Sequence, residues 1–310
     1  MRVDDMSGLV GNTPLVGIHS FSPNPNVRIW AKLEGQNPTG SVKDRIALKM
    51  ITDAEEQGLL KPDSILLEPT SGNTGISLAF LARRKGYRLI CVMPETASAE
   101  RTQMIKLFGG EVVYSPGIEG SNGAINKAKQ MVAENPGYVM LYQYGNEANP
   151  GSHYETTGPE ILKDLPEVTH FIAGLGTGGT LTGVGRFFRD NKPEVRIIAA
   201  EPEQGDLVYG LRSLEDGFVP PVLDQSVLHS KIKVNSDKSV AYTQALVKQE
   251  GVFAGISCGA TVYLAQRMAE KVESGDIVCL FADGGWKYLS TDIWGIDSQI
   301  AAKRVEYMPW

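Results

Sequence analysis

The sequence contains few cysteines, no excess of basic residues and no long apolar run. Its three cysteines are odd in number and widely spaced, which argues against a disulfide framework and favours a reducing cytoplasm. The formal net charge is -6, and without a clustered basic surface nucleic acid is not expected as the main partner. No apolar stretch reaches the roughly 18 residues of a membrane-spanning helix, and the polar first residues do not resemble a signal peptide. We therefore expect a cytoplasmic protein without a membrane or nucleic-acid partner.

Residue patterns typical of metal sites and serine hydrolases are missing as well. The four histidines show no metal-ligand spacing, so no metal site is expected, and no G-x-S-x-G nucleophile elbow occurs.

Glycine, in contrast, is abundant. The 34 glycines predict many tight turns or close approaches of the backbone to a ligand.

Short apolar runs alternate with amphipathic segments along most of the chain. Strands are predicted at residues 27–33, 65–68, 89–93, 112–114, 139–142, 170–173, 195–200 and 277–281. Helices are predicted at residues 43–58, 76–85, 99–108, 122–133, 180–189, 240–249 and 260–271. The alternation predicts an α/β fold of parallel-rich twisted sheets flanked by helices, with ligands at the carboxyl ends of the strands. The irregular stretch 204–226 is predicted to be a long functional loop.

A lysine stands where turn-forming residues give way to the first predicted helix. Residues 37–45 read Asn-Pro-Thr-Gly-Ser-Val-Lys-Asp-Arg, a dense run of turn formers that ends at the helix start. The partial positive charge of a helix N-terminus disfavours the ammonium form of Lys43. A lysine that attacks a carbonyl must lose its proton, starting from a pKa of about 10.4. Lys43 is therefore a candidate nucleophile, and a solvated lysine in an ordinary first turn is the alternative.

Two further loops also lie between a predicted strand and a predicted helix. Residues 70–75, Thr-Ser-Gly-Asn-Thr-Gly, offer hydroxyls, an amide and backbone N–H groups, which suit a carboxylate. Residues 176–180, Gly-Thr-Gly-Gly-Thr, suit a phosphate at a helix start. Each loop alone could instead be an N-capped helix behind a tight turn.

The second of these loops also allows a different function. Residues 174–179 fit the dinucleotide fingerprint G-x-G-x-x-G, and Glu201 ends the next strand, where a ribose-binding acid belongs. An NAD(P)-dependent oxidoreductase is therefore the competing hypothesis. It leaves Lys43 and residues 70–75 unexplained, and such fingerprints usually occupy the first βα turn of their domain, so we rank it second.

Two other residues are candidates on weaker patterns. Ser257 opens a predicted helix and is expected at least to cap it. Arg212 lies in the long loop, and its guanidinium would suit a phosphate or a carboxylate. A solvated arginine is the alternative for Arg212.

Taken together, these segments resemble the cysteine synthase family of fold type II enzymes, which use pyridoxal 5′-phosphate (PLP). The resemblance runs from residues 11–15 to residues 283–285 and is most specific at residues 38–45 and 70–75. It implies a two-domain fold like that of the tryptophan synthase β subunit. Residues 1–45 and 150–310 would form a large cofactor-binding domain, and residues 46–149 a small mobile domain that closes on the substrate.

The resemblance also implies a role for each of these loops. Lys43 would form the Schiff base with PLP and act as the general base. The other cofactor-binding residues would be Asn73, Gly176, Thr177, Gly178, Gly179, Thr180 and Ser257. The substrate-binding residues would be Thr70, Ser71, Asn73, Thr74, Gln143 and Arg212.

Within this family the chain resembles the M-type branch (cysteine synthase B), most of all its actinobacterial O-phosphoserine sulfhydrylases. The cues are residues 140–146, 209–212 and 285–290. The implied reaction is β-replacement on O-phospho-L-serine or O-acetyl-L-serine through an α-aminoacrylate, yielding L-cysteine. Sulfide or a thiocarboxylated sulfur-carrier protein would donate the sulfur, and Arg212 would select the phosphorylated substrate. The resemblance further implies a homodimer, and a PLP-dependent serine or threonine dehydratase is the nearest alternative.

Overall fold

A computed structural model describes residues 2–70 and 72–306 of the chain. The described chain forms two compact units. The first unit contains the N-terminal residues up to Val10 together with Lys43–Asn149, and the second contains Gly11–Val42 and the described chain from Pro150 onward. The predicted small domain, 46–149, omitted the first ten residues and residues 43–45. Residues 43–45 belong with this unit because its first helix begins at Lys43.

The first unit is built on a four-stranded parallel sheet with the strand order β5-β4-β3-β6. Its strands are β3 (Ile65–Pro69), β4 (Arg88–Pro94), β5 (Glu111–Ser115) and β6 (Tyr138–Met140). Its helices are α1 (Lys43–Glu56), α2 (Asn73–Lys85), α3 (Ala99–Leu107) and α4 (Gly120–Glu134). Strands β3 and β4 are buried along nearly their whole length, as expected for parallel strands covered on both faces.

The second unit is built on a six-stranded sheet with the order β1-β2-β10-β7-β8-β9. Its strands are β1 (Leu15–Gly17), β2 (Val27–Leu33), β7 (His170–Gly174), β8 (Arg196–Pro202), β9 (Ser230–Val234) and β10 (Gly275–Phe281). Only the pairing of β1 with β2 is antiparallel among the described strands. The helices are α6 (Gly158–Asp164), α7 (Gly179–Asn191), α8 (Ser236–Glu250), α9 (Ile256–Ala269) and α10 (Ser298–Glu306).

The predicted α/β class is confirmed, and every predicted strand and helix is present, nearly all with shifted ends. Several elements were not predicted, among them β9, residues 148–164 and α10. Strand β9 was missed because its alternating lysines give it the polar character of an edge strand. Residues 148–164 were missed because prolines and glycines interrupt them, although they form α5 (Ala148–Ser152), a π-helical turn (His153–Thr157) and α6. Helix α10 was missed as well.

No helix in the described part of the chain is long and apolar enough to cross a membrane. The long loop is irregular, as predicted, with short 3-10 turns at Leu214–Asp216 and Gln225–Val227.

We expect the three cysteines to be inert in the folded protein. Cys91, Cys258 and Cys279 are free and buried. Burial raises the pKa of the Cys258 thiol to about 12 and also raises the pKa of the other two, so little reactive thiolate forms. A disulfide reagent that releases a coloured thiol should therefore react with none of them in the native protein and with all three after urea unfolding. Native labelling at the rate of free cysteine would contradict this expectation.

Candidate active site

The first group of candidate residues lies in the first unit, where β3 leads into α2. Thr70 is buried, and its Oγ1 accepts the N–H of Gly72 at 3.2 Å. Gly72 is the N-cap of α2 and has no side chain that could cap this 13-residue helix. The partial positive charge of the helix N-terminus favours an anion there. Ser71, predicted to bind substrate, lies outside the described residues.

Thr74 and Gln143 meet across the edge of the same sheet. The Thr74 hydroxyl donates to Gln143 Oε1 at 2.7 Å, and Gln143 Nε2 donates to the Pro69 carbonyl at 3.3 Å. Both side chains are buried. The structure thus brings together Thr70, Thr74 and Gln143, three of the residues predicted to bind the substrate carboxylate.

Glu68 holds Gln143 in place and was missed by the sequence analysis. Its side chain is fully buried, and its two oxygens accept the N–H groups of Tyr142 at 2.7 Å and Gln143 at 2.9 Å. Tyr142 needs this support because its φ of 57° is left-handed, which is costly for a bulky residue. Burial raises the pKa of Glu68 to about 8, against the opposing effect of the two N–H groups. The sequence signal was an acidic residue inside an apolar strand, directly before the candidate loop.

Lys43 is the first residue of α1 and is half-buried. A buried hydrogen bond links the start of α1 to the start of α2. The Ser77 hydroxyl donates to Asp44 Oδ1 at 2.5 Å and lies 3.0 Å from the Asn73 carbonyl oxygen. Ser77 therefore fixes the helix turn that carries Lys43 beside the helix turn that carries Asn73.

The second group of candidate residues lies in the second unit, where β7 leads into α7. Gly178 is the N-cap of α7, with a left-handed φ of 83°. The N–H of Gly179 donates to Thr177 Oγ1 at 3.3 Å. Thr180 lies in the first turn, with its Oγ1 3.2 Å from Nε2 of His153. This arrangement of glycine backbone and hydroxyls at a helix N-terminus is suited to a phosphate.

The glycines of this loop have a packing reason. A Cβ at Gly174 would lie 2.2 Å from Leu211 Cδ2, and a Cβ at Gly176 would lie 2.9 Å from the Gly210 carbonyl oxygen. Residues 209–212 can approach the loop only because these two positions lack side chains.

Arg212 is anchored to the same loop. Its N–H donates to the Leu175 carbonyl at 2.7 Å. Its guanidinium carbon lies 4.8 Å from the centre of the Phe218 ring, a cation–π distance. The backbone of Arg212 is thus fixed beside the phosphate-type loop.

Ser257 is the second residue of α9, and the prediction that it caps this helix was wrong. The N-cap is Gly255, because the chain enters the helix two residues earlier than predicted. The Ser257 side chain is only 6% exposed, and its hydroxyl makes no hydrogen bond to any residue of the described ranges. A Cβ at Gly210 would lie 3.9 Å from Ser257 Oγ, so this hydroxyl lies beside residues 209–212.

Comparison with known proteins decides the family. The family model described as pyridoxal-phosphate dependent enzyme matches residues 6–283. The chain belongs to this family of PLP-dependent enzymes. This result excludes the dinucleotide hypothesis, and Glu201 has a structural role instead: it is buried, pairs with Lys233 at 3.2 Å and accepts the N–H of Leu214 at 2.8 Å.

Proteins similar to this chain include cysteine synthases and an O-ureido-L-serine synthase. A cysteine synthase of Staphylococcus aureus is 42% identical over 95% of this chain and 98% of its own length. An O-ureido-L-serine synthase structure matches with a TM-score of 0.90 and 39% identity, over 96% of this chain and 97% of that one. A cysteine synthase structure from Entamoeba histolytica matches with a TM-score of 0.89 and 34% identity, over 98% and 96% of the two chains. The predicted fold type II architecture is thereby confirmed.

Three features of the structure fit PLP. A lysine, the residue type that forms a Schiff base with PLP, is the first residue of α1. The glycine loop before α7 presents backbone N–H groups at a helix N-terminus, which suits the cofactor phosphate. The buried Ser257 hydroxyl has no hydrogen-bond partner among residues 2–70 and 72–306, which suits a ring nitrogen as its partner.

We expect Glu68 to make stability depend on pH. Because the native pKa is about 8 and the ordinary value of a glutamate is 4.5, the folded protein retains a proton that the unfolded chain releases between these values. The free energy of unfolding should therefore fall as pH rises through this window, by at most about 1.4 kcal/mol per pH unit. Glu68→Gln has no such proton, so the stability advantage of the wild type over this variant should narrow from pH 5 to pH 8.

Urea unfolding of the holoenzyme across this range measures the effect. Glu194→Gln, which changes an exposed glutamate, is the matched control and should parallel the wild type. If the difference in free energy of unfolding between the wild type and Glu68→Gln stayed constant with pH, the raised pKa of Glu68 would be contradicted.

Proposed function

We propose that this PLP-dependent enzyme is a cysteine synthase, which replaces the β-substituent of an activated L-serine with sulfur and releases L-cysteine. The observation that carries the proposal is the carboxylate-type site of Thr70, Thr74 and Gln143 in the same unit as Lys43. Such a site matches the α-carboxylate of an amino acid. The 42% identity to a cysteine synthase over nearly the whole chain supports the reaction type.

PLP, when bound, supplies an electron sink that makes the Cα proton of an amino acid acidic. Lys43 would anchor the cofactor covalently, and its amine would remove the Cα proton and later return it. Its place at the start of α1 favours the neutral amine, because the helix N-terminus disfavours positive charge. The link from Asp44 through Ser77 to Asn73 keeps this lysine in register with the start of α2.

The start of α2 binds the substrate carboxylate in this proposal. The Thr70 hydroxyl supplies a donor at the positive end of this helix, and the Thr74 hydroxyl orients Gln143 through the bond to its Oε1. Glu68 acts through Gln143, because it fixes the turn that presents the Gln143 side chain. Asn73 is proposed to contact the 3′ oxygen of the cofactor, and Ser71 to bind substrate, on the family resemblance.

The cofactor phosphate is proposed to bind at the start of α7. The residues that would hold it are Gly176, Thr177, Gly178, Gly179 and Thr180. His153 would orient the Thr180 hydroxyl, to which its Nε2 lies close. Ser257 would face the ring nitrogen, and a neutral hydroxyl there would not hold that nitrogen protonated as a carboxylate would.

We further propose that Arg212 selects O-phospho-L-serine over O-acetyl-L-serine. Its backbone is fixed to the loop before α7 by the bond to Leu175, and its guanidinium lies over the Phe218 ring. A guanidinium fork binds a phosphate dianion more strongly than a neutral ester. Three further proposals rest on the family resemblance alone. The chain is M-type and similar to the actinobacterial enzymes, and it forms a homodimer. Sulfide or a thiocarboxylated carrier protein donates the sulfur.

The enzyme class is tested by spectroscopy and product analysis. The purified protein should be yellow, and amino-acid substrate with sulfide should yield L-cysteine. Lys43→Ala should lower turnover by about 10³-fold or more, because the anchor and the base are lost together. Release of pyruvate at the same rate with and without sulfide would instead indicate a dehydratase.

The selectivity of Arg212 is tested by comparing two substrates. Arg212→Ala should reduce kcat/KM for O-phospho-L-serine by about 10- to 100-fold, the equivalent of one charge-assisted hydrogen-bonded pair. The value for O-acetyl-L-serine should change by less than about threefold. Arg189→Ala, an exposed arginine of α7, is the control. Equal losses for both substrates would refute the selectivity while leaving the enzyme class intact.

A further inference from the structure

A pocket of about 650 Å³ lies at the amino edge of the six-stranded sheet. His170 and Arg196 are the first residues of β7 and β8, and Ser230 is the first residue of β9. All three line the pocket, together with Lys271 and Ser274 from the segment between α9 and β10. The phosphate-type loop follows the opposite, carboxyl end of β7, so this pocket is a separate site.

The pocket concentrates positive charge that is not neutralised by ion pairs within the described chain. Arg196 and Lys271 are exposed and form no ion pair with a described residue. Glu273 is the one carboxylate side chain of the lining. The neighbouring Asp276 is already engaged, because it pairs with Arg28 at 2.7 Å and accepts from Trp30 at 2.8 Å. The balance of charge in the pocket therefore favours an anion.

His229 is fixed in one tautomer. The backbone N–H of His229 donates to the Ile197 carbonyl at 2.9 Å, and the ring Nδ1 of His229 accepts the backbone N–H of Ile197 at 3.0 Å. An Nδ1 that accepts a hydrogen bond cannot carry the proton, so the neutral ring carries it on Nε2. His229, which lines the pocket, therefore offers an N–H donor.

His170 is held by a different network. Its Nδ1 lies 2.8 Å from Thr169 Oγ1, which donates to the Asp276 carbonyl at 3.0 Å and accepts the N–H of Asp276 at 3.0 Å. Since the one hydroxyl proton goes to Asp276, Nδ1 of His170 is the donor, and its Nε2 can take up a proton. Burial lowers the pKa of His170, as do the charges of Arg196 and His229.

We propose that this pocket binds the phosphate group of a small phosphomonoester. Arg196 supplies a planar fork for two phosphate oxygens, Lys271 a second cation, and His229 a neutral N–H donor. Ile198, Met268 and Val272 form an apolar wall, and the volume exceeds that of inorganic phosphate, so an organic substituent fits beside the phosphate. This site is independent of the reaction proposed above.

Proton uptake by His170 should accompany binding. The groups that face it are Arg196 on β8, His229 before β9, Lys271 and Glu273 after α9, and the paired Asp276 on β10. A dianion beside Arg196 offsets the positive charge that disfavours protonated His170. Binding should therefore raise the pKa of His170.

The test is a titration of the PLP-loaded holoenzyme, in which the cofactor occupies its own phosphate site. Phenyl phosphate and inorganic phosphate are the two probes, added at constant ionic strength, and the imidazole signals of the histidines are followed by NMR. His170→Asn and His229→Asn assign these signals. Phenyl phosphate should shift both signals at about 1 to 10 mM, with inorganic phosphate several-fold weaker. Arg196→Gln should weaken binding by about tenfold, and Lys248→Gln, an exposed lysine of α8, should not.

Several outcomes would overturn the proposal. The His170 and His229 signals could stay unchanged up to about 20 mM probe, or chloride alone could move them equally. Affinity could also be the same in Arg196→Gln as in the wild type. If inorganic phosphate bound as tightly as phenyl phosphate, the phosphomonoester class would be wrong. Each of these results is independent of whether the enzyme makes cysteine, because none requires turnover.

Discussion

The burial of parallel strands on both faces is the constraint on which each half of the site depends. Strands covered on both sides must be connected by helices across the faces, so the loops that follow them converge at the carboxyl edge of their sheet. In the four-stranded sheet β3 pairs with β6. The loop after β6 therefore brings Gln143 to Thr74, although 69 positions separate them in sequence. In the six-stranded sheet the same rule places the glycine loop after β7 at the start of α7.

Glu68 shows how the interior of a sheet can shape a binding surface. A carboxyl group in a buried strand is costly unless its oxygens are hydrogen-bonded, and here backbone N–H groups of Tyr142 and Gln143 satisfy both. The same bonds hold Tyr142 in a left-handed conformation. The stability of the sheet and the orientation of Gln143 are thereby linked through one side chain.

Local patterns were sufficient to predict most of the elements and the three candidate loops. Lys43 and residues 70–75 and 176–180 were predicted because strand, turn formers and helix follow one another directly in the sequence. Contacts between distant segments could not be predicted, as with Glu68 and Tyr142 or Asp44 and Ser77. The glycine spacing at 174–179 left the dinucleotide hypothesis open as the second choice, because the sequence does not reveal that residues 209–212 pack against it. Ser257 was wrongly predicted to be the N-cap because sequence patterns locate a helix end only to within one or two residues, and the N-cap is Gly255.

The placement of the cysteines has a chemical consequence for an enzyme proposed to release a thiol. A protein that works among cysteine, sulfide and their oxidised forms is exposed to mixed-disulfide formation at any thiolate of its own. All three thiols here are enclosed in the interior, and Cys258 directly follows Ser257 in the chain. A disulfide of the product therefore has no attacking partner on the folded chain. The folded enzyme is therefore protected from forming mixed disulfides with its own product.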